Sequence, residues 1–358
     1  MAMPRLDIDL NKIYHNADEL VKRLAERGIL VTGVTKASLG SIEVANALLQ
    51  AGVVSLGDSR IENIKAMRMS GSDACMMLIR SPMLSQVRQV VKYVNISCNT
   101  EVAVIKALSV EACKQGCTHQ ILLMVELGDL REGIMPNDLI NTVREVIGLP
   151  NILLKGIGTN LACRSGVSPN EKNMSKLSEL AEQVEKTFGI TLDIVSGGNS
   201  ANIQWASKTD TQRINHLRLG ESILLGCEPL QRQPIEGLHG DAFTLVAEVI
   251  ESKLKPSKPT ADVAQTAFGE VSLLTGQAAN DRGMVKQSIL AIGLQDIDYT
   301  GLQAPKGIVI MGASSDHLIV ESIDDALKIG DEVSFQLNYS ALLRAMTSPF
   351  VTKCYYPV

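Results

Sequence analysis

The chain has 358 residues, with 34 Lys and Arg against 39 Asp and Glu, and a net charge of −5. That balance excludes a general electrostatic attraction to nucleic acid or acidic membranes. Hydrophobic residues at 45% against 20% charged support a large packed core rather than disorder, and aromatics at 3% leave that core to aliphatic side chains.

The length predicts about two domains. The first twenty residues, MAMPRLDIDLNKIYHNADEL, carry no apolar stretch behind a basic flank, so they do not read as a secretory signal. No run of eighteen apolar residues occurs, so no membrane span is expected. Cys75, Cys98, Cys113, Cys117, Cys163, Cys227 and Cys354 form an odd, scattered set. Cys113 and Cys117 are the closest pair, with no second pair or histidine array to complete a zinc site, so no metal is expected. Free thiols point to a reducing, cytoplasmic setting.

Short β-branched apolar runs recur at Gly28–Thr35, Val53–Gly57, Cys75–Ile79, Tyr93–Cys98, Ile121–Glu126, Leu153–Gly158, Leu192–Ser196 and His216–Leu225. Between them lie segments with helical spacing: Ile42–Leu49, Ile61–Met69, Thr100–Gln115, Pro136–Ile147 and Asn170–Phe188. Ser41, Asn99 and Pro136 with Asn137 and Asp138 mark helix starts. Eight apolar runs alternating with helices predict a parallel sheet closed as a (β/α)₈ TIM barrel over 8–234, with an open doubly wound sheet as the competing arrangement. From 235 to 358 the pattern turns β-rich, with strands expected at Phe243–Ile250, Val285–Ile292, Gly307–Ile310, His317–Val320 and Glu332–Gln336. KPSKP at 255–259 is not expected to continue a strand ladder, because proline lacks the donor hydrogen. Residues 1–7 are grouped with this C-terminal, mostly-β domain.

In a barrel of this kind, chemistry sits just after the strands. Lys36 closes the first apolar run, where a strand end offers the fixed, partly desolvated mount that a Schiff-base lysine needs; the alternative is a solvated surface lysine. Ser196-Gly197-Gly198-Asn199-Ser200 follows the seventh run. Its glycines permit close approach to an anion, and Asn199 or Ser200 can cap the next helix; an ordinary glycine turn is the alternative. Arg218 lies among apolar residues on the eighth run, so it needs a fixed partner, either a carboxylate or a ligand atom. Arg131, between Gly128 and Gly133, can fork onto a carboxylate or pair with Asp129 or Glu132.

Taken together, Ile8-Asp9-Leu10 with Asn16, Val34-Thr35-Lys36-Ala37, GDLREG at 128–133, Gly158-Thr159-Asn160-Leu161, GGNS at 197–200 and LRLGESILLG at 217–226 resemble the alanine-racemase superfamily of fold type III pyridoxal-phosphate enzymes. The resemblance covers nearly the whole chain, since 292–296 and 312–320 fall where that family has its two substrate-side motifs. The wording of KPSKP, AFGE (267–270), GLQDID (293–298) and GASSDHLIVE (312–321) is most similar to the ornithine-racemase branch.

The resemblance implies a barrel followed by a β domain, and pyridoxal 5'-phosphate as cofactor. Lys36 would bond covalently to its aldehyde carbon. Arg218 would donate to the pyridine nitrogen and keep it unprotonated, which favours simple proton return over transamination. Asn199 and Ser200, with the backbone N–H groups of Gly220 and Glu221, would hold the phosphate. Asn160 stands where the family packs a histidine on the ring. Arg131 would orient the substrate carboxylate or the cofactor hydroxyl, and the backbone at Ser315 and Asp316 would reach the substrate from the partner of a homodimer.

Three family tyrosines are missing, at Gly40, Leu294 and Phe350. The one at Leu294 is the second acid/base of alanine racemases, so that role passes to Asp296 first, with Asp298, Tyr299 and His317 as further candidates. The branch resemblance, with Asp129 and Glu132 as acceptors for an ω-ammonium, points to a free basic amino acid, ornithine or lysine. A non-catalytic cofactor carrier of the same barrel, or a D-amino-acid aldolase or dehydratase of the same fold type, are the rival readings. The first lacks a second domain and the second needs a metal.

Overall fold

The computed structural model describes residues 3–261, 263–265 and 281–357. The AFGE stretch lies outside them.

The chain opens with strand β1 (Arg5–Asp9) and helix α1 (Leu10–Ala25). Eight strands then form a closed, all-parallel barrel: β2 (Leu30–Val34), β3 (Ser55–Asp58), β4 (Met76–Leu78), β5 (Ile96–Asn99), β6 (His119–Met124), β7 (Ile152–Gly158), β8 (Ile194–Gly198) and β9 (His216–Leu219). The pairing of β2 with β9, Leu30 opposite His216, closes the ring, so the open-sheet alternative is excluded. The helices between strands are α2 (Ile42–Gln50), α3 (Ile61–Met69), α4 (Val87–Tyr93), α5 (Val102–Gln115), α6 (Leu139–Ile147), α7 (Glu171–Phe188), α8 (Ile203–Lys208) and α9 (Glu221–Leu225). Ser41 caps α2 by accepting the Val44 N–H, as its position predicts.

Two local expectations change. Asn99 does not start a helix: it is buried at the end of β5, donating to the Ser97 carbonyl at 2.7 Å, and Glu101 occupies the N-cap of α5. The eighth run is not strand to Leu225. It stops at Leu219, and Gly220 becomes the N-cap of α9, turning the Gly220 and Ser222 N–H groups toward Ser200. Helix α1, unannounced above, buries Leu10, Ile13, Ala17, Leu20 and Leu24 on one face.

The second unit is a mixed sheet of β10 (Phe243–Pro256), β11 (Met284–Leu290), β12 (Leu302–Gln303), β13 (Ile308–Ala313), β14 (Leu318–Ser322) and β15 (Glu332–Leu337), with helix α10 (Tyr339–Thr347) and strand β16 (Thr352–Tyr356). Its order is β12-β15-β10-β11-β14-β13, with β1 between β10 and β16. Phe243, Leu245, Leu290, Val320 and Phe335 make its core. Strand β10 runs two residues into KPSKP. Lys255 still pairs with Val285, and the strand ends on Pro256 opposite Met284, where a missing donor interrupts nothing beyond it.

The junctions fall at Asp9/Leu10 and Ala242/Phe243 rather than at 7/8 and 234/235. Ile8 pairs with Phe243 in the sheet, which claims the whole of β1. Residues 235–242 stay with the barrel: the Ile235 N–H donates to the Gly226 carbonyl at 2.8 Å. Buried Asn16 on α1 accepts the His239 N–H at 2.7 Å and donates to the carbonyls of Ile223 and His239. Among the described residues no helix is long and apolar enough to cross a membrane.

Candidate active site at the barrel mouth

Lys36 follows β2 and opens a short 3-10 turn, Lys36–Ser38. The residue is half-buried. Burial pushes its pKa down from the ordinary lysine value, helped by the Arg131 charge, while Cys163, Asp58 and Glu132 pull the other way. A lysine whose pKa is lowered gives up its proton more readily, which suits a nucleophile or a base.

Arg218 is 4% exposed on β9. It meets neither partner expected of it alone. Nη1 donates to the Ser196 hydroxyl and Nη2 to the Thr159 carbonyl at 2.6 Å, and no carboxylate among the described residues pairs with it. Ser196 Oγ lies 2.8 Å from His216 Nδ1, whose Nε2 is 2.7 Å from Thr32 Oγ1, which in turn is 2.5 Å from Ser55 Oγ. Because Arg218 can only donate, the Ser196 hydrogen turns to His216 Nδ1, and His216 donates from Nε2 to Thr32. Burial, with the Arg218 charge, holds the His216 pKa down to about 3, so the ring is neutral. A guanidinium buried among neutral acceptors retains donor capacity for a ligand acceptor.

The GGNS turn ends β8. Asn199 caps the next 3-10 turn, accepting the Ala201 N–H at 2.8 Å. Its Nδ2 donates to Asn160 Oδ1 at 3.1 Å and to the Leu161 carbonyl at 2.9 Å, so its amide shapes the loop rather than standing free for a phosphate. Ser200 Oγ is the hub: it lies 2.9 Å from Ser222 Oγ and accepts the Ser222 N–H at 3.1 Å and the Gly220 N–H at 3.4 Å. The side chain of Glu221 pairs with Arg232, leaving only its backbone for a ligand. Gly198 has φ +145, and a Cβ there would come within 2.2 Å of Asn202 Oδ1, so this close turn demands glycine. An amine of lowered pKa, an unpaired buried guanidinium and a hydroxyl among helix-start N–H groups fit a phosphorylated pyridine aldehyde.

The loop after β6 reverses one expectation. Asp129 is fully buried and accepts N–H groups from Cys163 (3.2 Å), Arg164 (2.9 Å) and Ser165 (3.1 Å). Burial works to raise its pKa, but these donors outweigh it and hold the carboxyl below its ordinary value. It is therefore consumed by the backbone and has no room for an ω-ammonium. Arg131 is exposed and pairs with Glu132, so the second proposed acceptor is engaged as well. Cys163, seen in the sequence only as one thiol among seven, accepts from Asn160 Nδ2 at 2.9 Å.

In the β unit, the two substrate-side motifs come together. The Leu294 and Gln295 N–H groups donate to the Ser314 and Ser315 carbonyls, each at 2.9 Å, and a Cβ on Gly293 would lie 2.4 Å from the Asp316 nitrogen. Ser315 and Asp316 are exposed on this block, and Asp316 Oδ1 lies 2.8 Å from His317 Nδ1. Asp296 does not join them. It is buried and accepts the Ser348 hydroxyl at 2.6 Å, which makes it a structural carboxylate rather than an accessible base. Asp298 binds Thr300 and Ser340 in the same structural way. Among the described residues no three His, Cys, Asp or Glu side chains gather as a metal site.

The sequence matches the model of the alanine racemase N-terminal domain over residues 8–229. It is 39% identical to an ornithine racemase of Acetoanaerobium sticklandii over 98% of this chain and 99% of that protein. It is 37% identical to a lysine racemase of Thermotoga maritima over 100% and 99%. Among solved structures, an alanine racemase from Streptomyces lavendulae superposes with a TM-score of 0.78 at 17% identity, covering 100% of this chain and 98% of that one. A D-threonine aldolase from Filomicrobium marinum reaches 0.74 at 13% identity, covering 97% and 89%, which reflects the shared fold alone.

Proposed function

The chain belongs to the alanine racemase family, and from that premise we propose that it is a pyridoxal-phosphate-dependent racemase interconverting the L and D forms of a free basic amino acid, ornithine or lysine. The observation that carries the reading is that Lys36 and Ser200 follow the C-terminal ends of β2 and β8, while Arg218 is the penultimate residue of β9, near the same mouth of the barrel. When bound, the cofactor supplies a conjugated ring that spreads negative charge developing at the substrate Cα. Lys36 would hold the cofactor, and its amine would remove or return the substrate Cα proton on one face. Arg218 would donate to the ring nitrogen while keeping its own proton, which would restrain the ring as an electron sink and favour racemisation. The Ser200 hydroxyl, seated by the Gly220 and Ser222 N–H groups, and the backbone N–H of Glu221 would hold the phosphate. Asn160 and Asn199 brace the loop beside it.

The basic substrate rests on full-length likeness to ornithine and lysine racemases, no longer on Asp129. With Asp296 committed to Ser348, the opposite face is served by His317, its imidazole oriented by Asp316. The enzyme works as a cytoplasmic homodimer in which Ser315 and Asp316 of each copy meet the substrate of the other, while Arg131 orients the substrate carboxylate. Lys36→Ala should abolish Cα–deuterium exchange of ornithine in heavy water; retained exchange sinks the reading. Chiral chromatography of ornithine, lysine, alanine and serine should show the two basic substrates turning over fastest. A clear alanine preference removes the substrate claim, and released aldehyde or ammonia would favour a lyase.

A further inference from the structure

Asp58 ends β3 beside Lys36, and it has no role in the chemistry described above. Its carboxylate is fully buried. Oδ2 accepts the Thr35 hydroxyl at 2.8 Å, while Oδ1 accepts the Arg60 N–H at 2.9 Å and Asn63 Nδ2 at 3.1 Å. Burial pushes the Asp58 pKa up from its ordinary value, and these donors, with the Ser59 N–H, work against that rise. All of them are neutral, and no Lys or Arg among the described residues forms an ion pair with the carboxylate. Thr35 is the residue before Lys36. Its own N–H donates to the Gly57 carbonyl at 2.9 Å, and its carbonyl accepts the Ser38 and Gly40 N–H groups that close the turn around Lys36. Asn63 supports the far side of the same turn: a Cβ on Gly40 would come within 2.8 Å of Asn63 Cβ.

We propose that Asp58 is a positioning residue for Lys36: it ties down the turn that carries the amine and lends that amine a buried negative charge. The inference rests on Lys36 being the catalytic amine. An uncompensated buried carboxylate is costly, so a geometric role alone would be filled more cheaply by asparagine. Asparagine fits the same network. Its oxygen accepts from Arg60 and Asn63, its amide donates to Thr35 Oγ1, and the Thr35 hydrogen turns to the Gly57 carbonyl 3.3 Å away. The charge is thus surplus to the hydrogen bonds, and the nearby group that it favours is the Lys36 ammonium, which burial and Arg131 disfavour. The other titratable groups facing Lys36 are Cys163, Arg131 and Glu132, all from loops after other strands and unaltered by a change at 58.

The test is competitive acetylation of the cofactor-free, full-length chain with a trace of acetic anhydride across pH, with the Lys36 peptide quantified by mass spectrometry. In Asp58→Asn the midpoint for Lys36 labelling should move down by roughly half to one pH unit, because loss of a neighbouring negative charge favours the neutral amine. An unmoved midpoint in a folded Asp58→Asn protein overturns the proposal. Should that variant not fold, Asp58→Ser takes its place: it also removes the charge while keeping a hydroxyl for the neighbouring donors, so the midpoint should move the same way. No movement there overturns the proposal too. Cofactor capture by wild-type Lys36 is scored separately, so an unmoved midpoint with capture intact refutes only the role of Asp58. Failure of capture refutes the functional reading instead.

Discussion

Asp129→Asn separates a structural carboxylate from a substrate-binding one. Oδ2 accepts two backbone N–H groups and Oδ1 a third, all from residues 163–165. Asparagine keeps a single acceptor oxygen and turns an amide N–H₂ onto at least one of those donors, so one or two charge-assisted hydrogen bonds are lost. Each contributes about 1.5–3 kcal/mol. Because residues 163–165 are themselves exposed, water recovers part of this, and a net loss of about 2–3 kcal/mol is expected. For a domain of this size that corresponds to roughly 5–10 °C in Tm. Urea and thermal unfolding would be run beside racemisation of ornithine and alanine. The expected outcome is lower stability with the ornithine-to-alanine ratio unchanged. Unchanged stability with selective loss of ornithine turnover would put an ω-ammonium on Asp129 and refute the reasoning. The pH sign is fixed as well. A carboxyl held below its ordinary value adds stability above the unfolded carboxylate pKa and loses it as pH falls through the folded one.

Burial keeps the His119 pKa at about 4 and that of His216 at about 3, so both rings fold neutral and the unfolded chain takes up protons first below about pH 6.5. Stability should therefore fall by up to about 2 kcal/mol per ring between pH 7 and 5, measured by urea titration, and His216→Gln should flatten that slope. Gly198→Ala places a Cβ against Asn202 and should weaken cofactor binding at least tenfold by fluorescence titration; wild-type affinity would show that the turn does not shape the phosphate site. Gly293→Ala should displace the 314–317 turn and inactivate the enzyme. Refolding it together with Lys36→Ala should then restore activity through mixed dimers, and a mixture as dead as its parts would count against shared sites.

What was readable along the chain was periodic or punctuated. Helix α3 runs from Ile61 to Met69 as its spacing predicts, and Lys36 stands out because a charged residue closes an apolar run. What escaped notice depends on barrel closure. His216 and Ser196 look like ordinary strand residues until β8 and β9 lie side by side and place them under Arg218. Asp58 is a lone acid in its stretch, with a role visible only once Thr35 is across from it. The role of Asp129 is not legible in the sequence, because its partners lie in a loop more than thirty residues away and its charge beside Arg131 resembles a ligand site where folding supplies backbone donors. Asp296 lies close to Leu294 in sequence, yet its partner, Ser348, comes from beyond α10. Gly220 closes a strand and starts a helix in one residue, a boundary hidden by the continuous apolar run on both sides.

The covalent seat of the cofactor is checked most directly by reducing the loaded enzyme with borohydride, digesting it, and sequencing the pyridoxyl-bearing peptide by mass spectrometry. The label is expected on Lys36 alone. A label on a different lysine, or none at all, would contradict the central assignment.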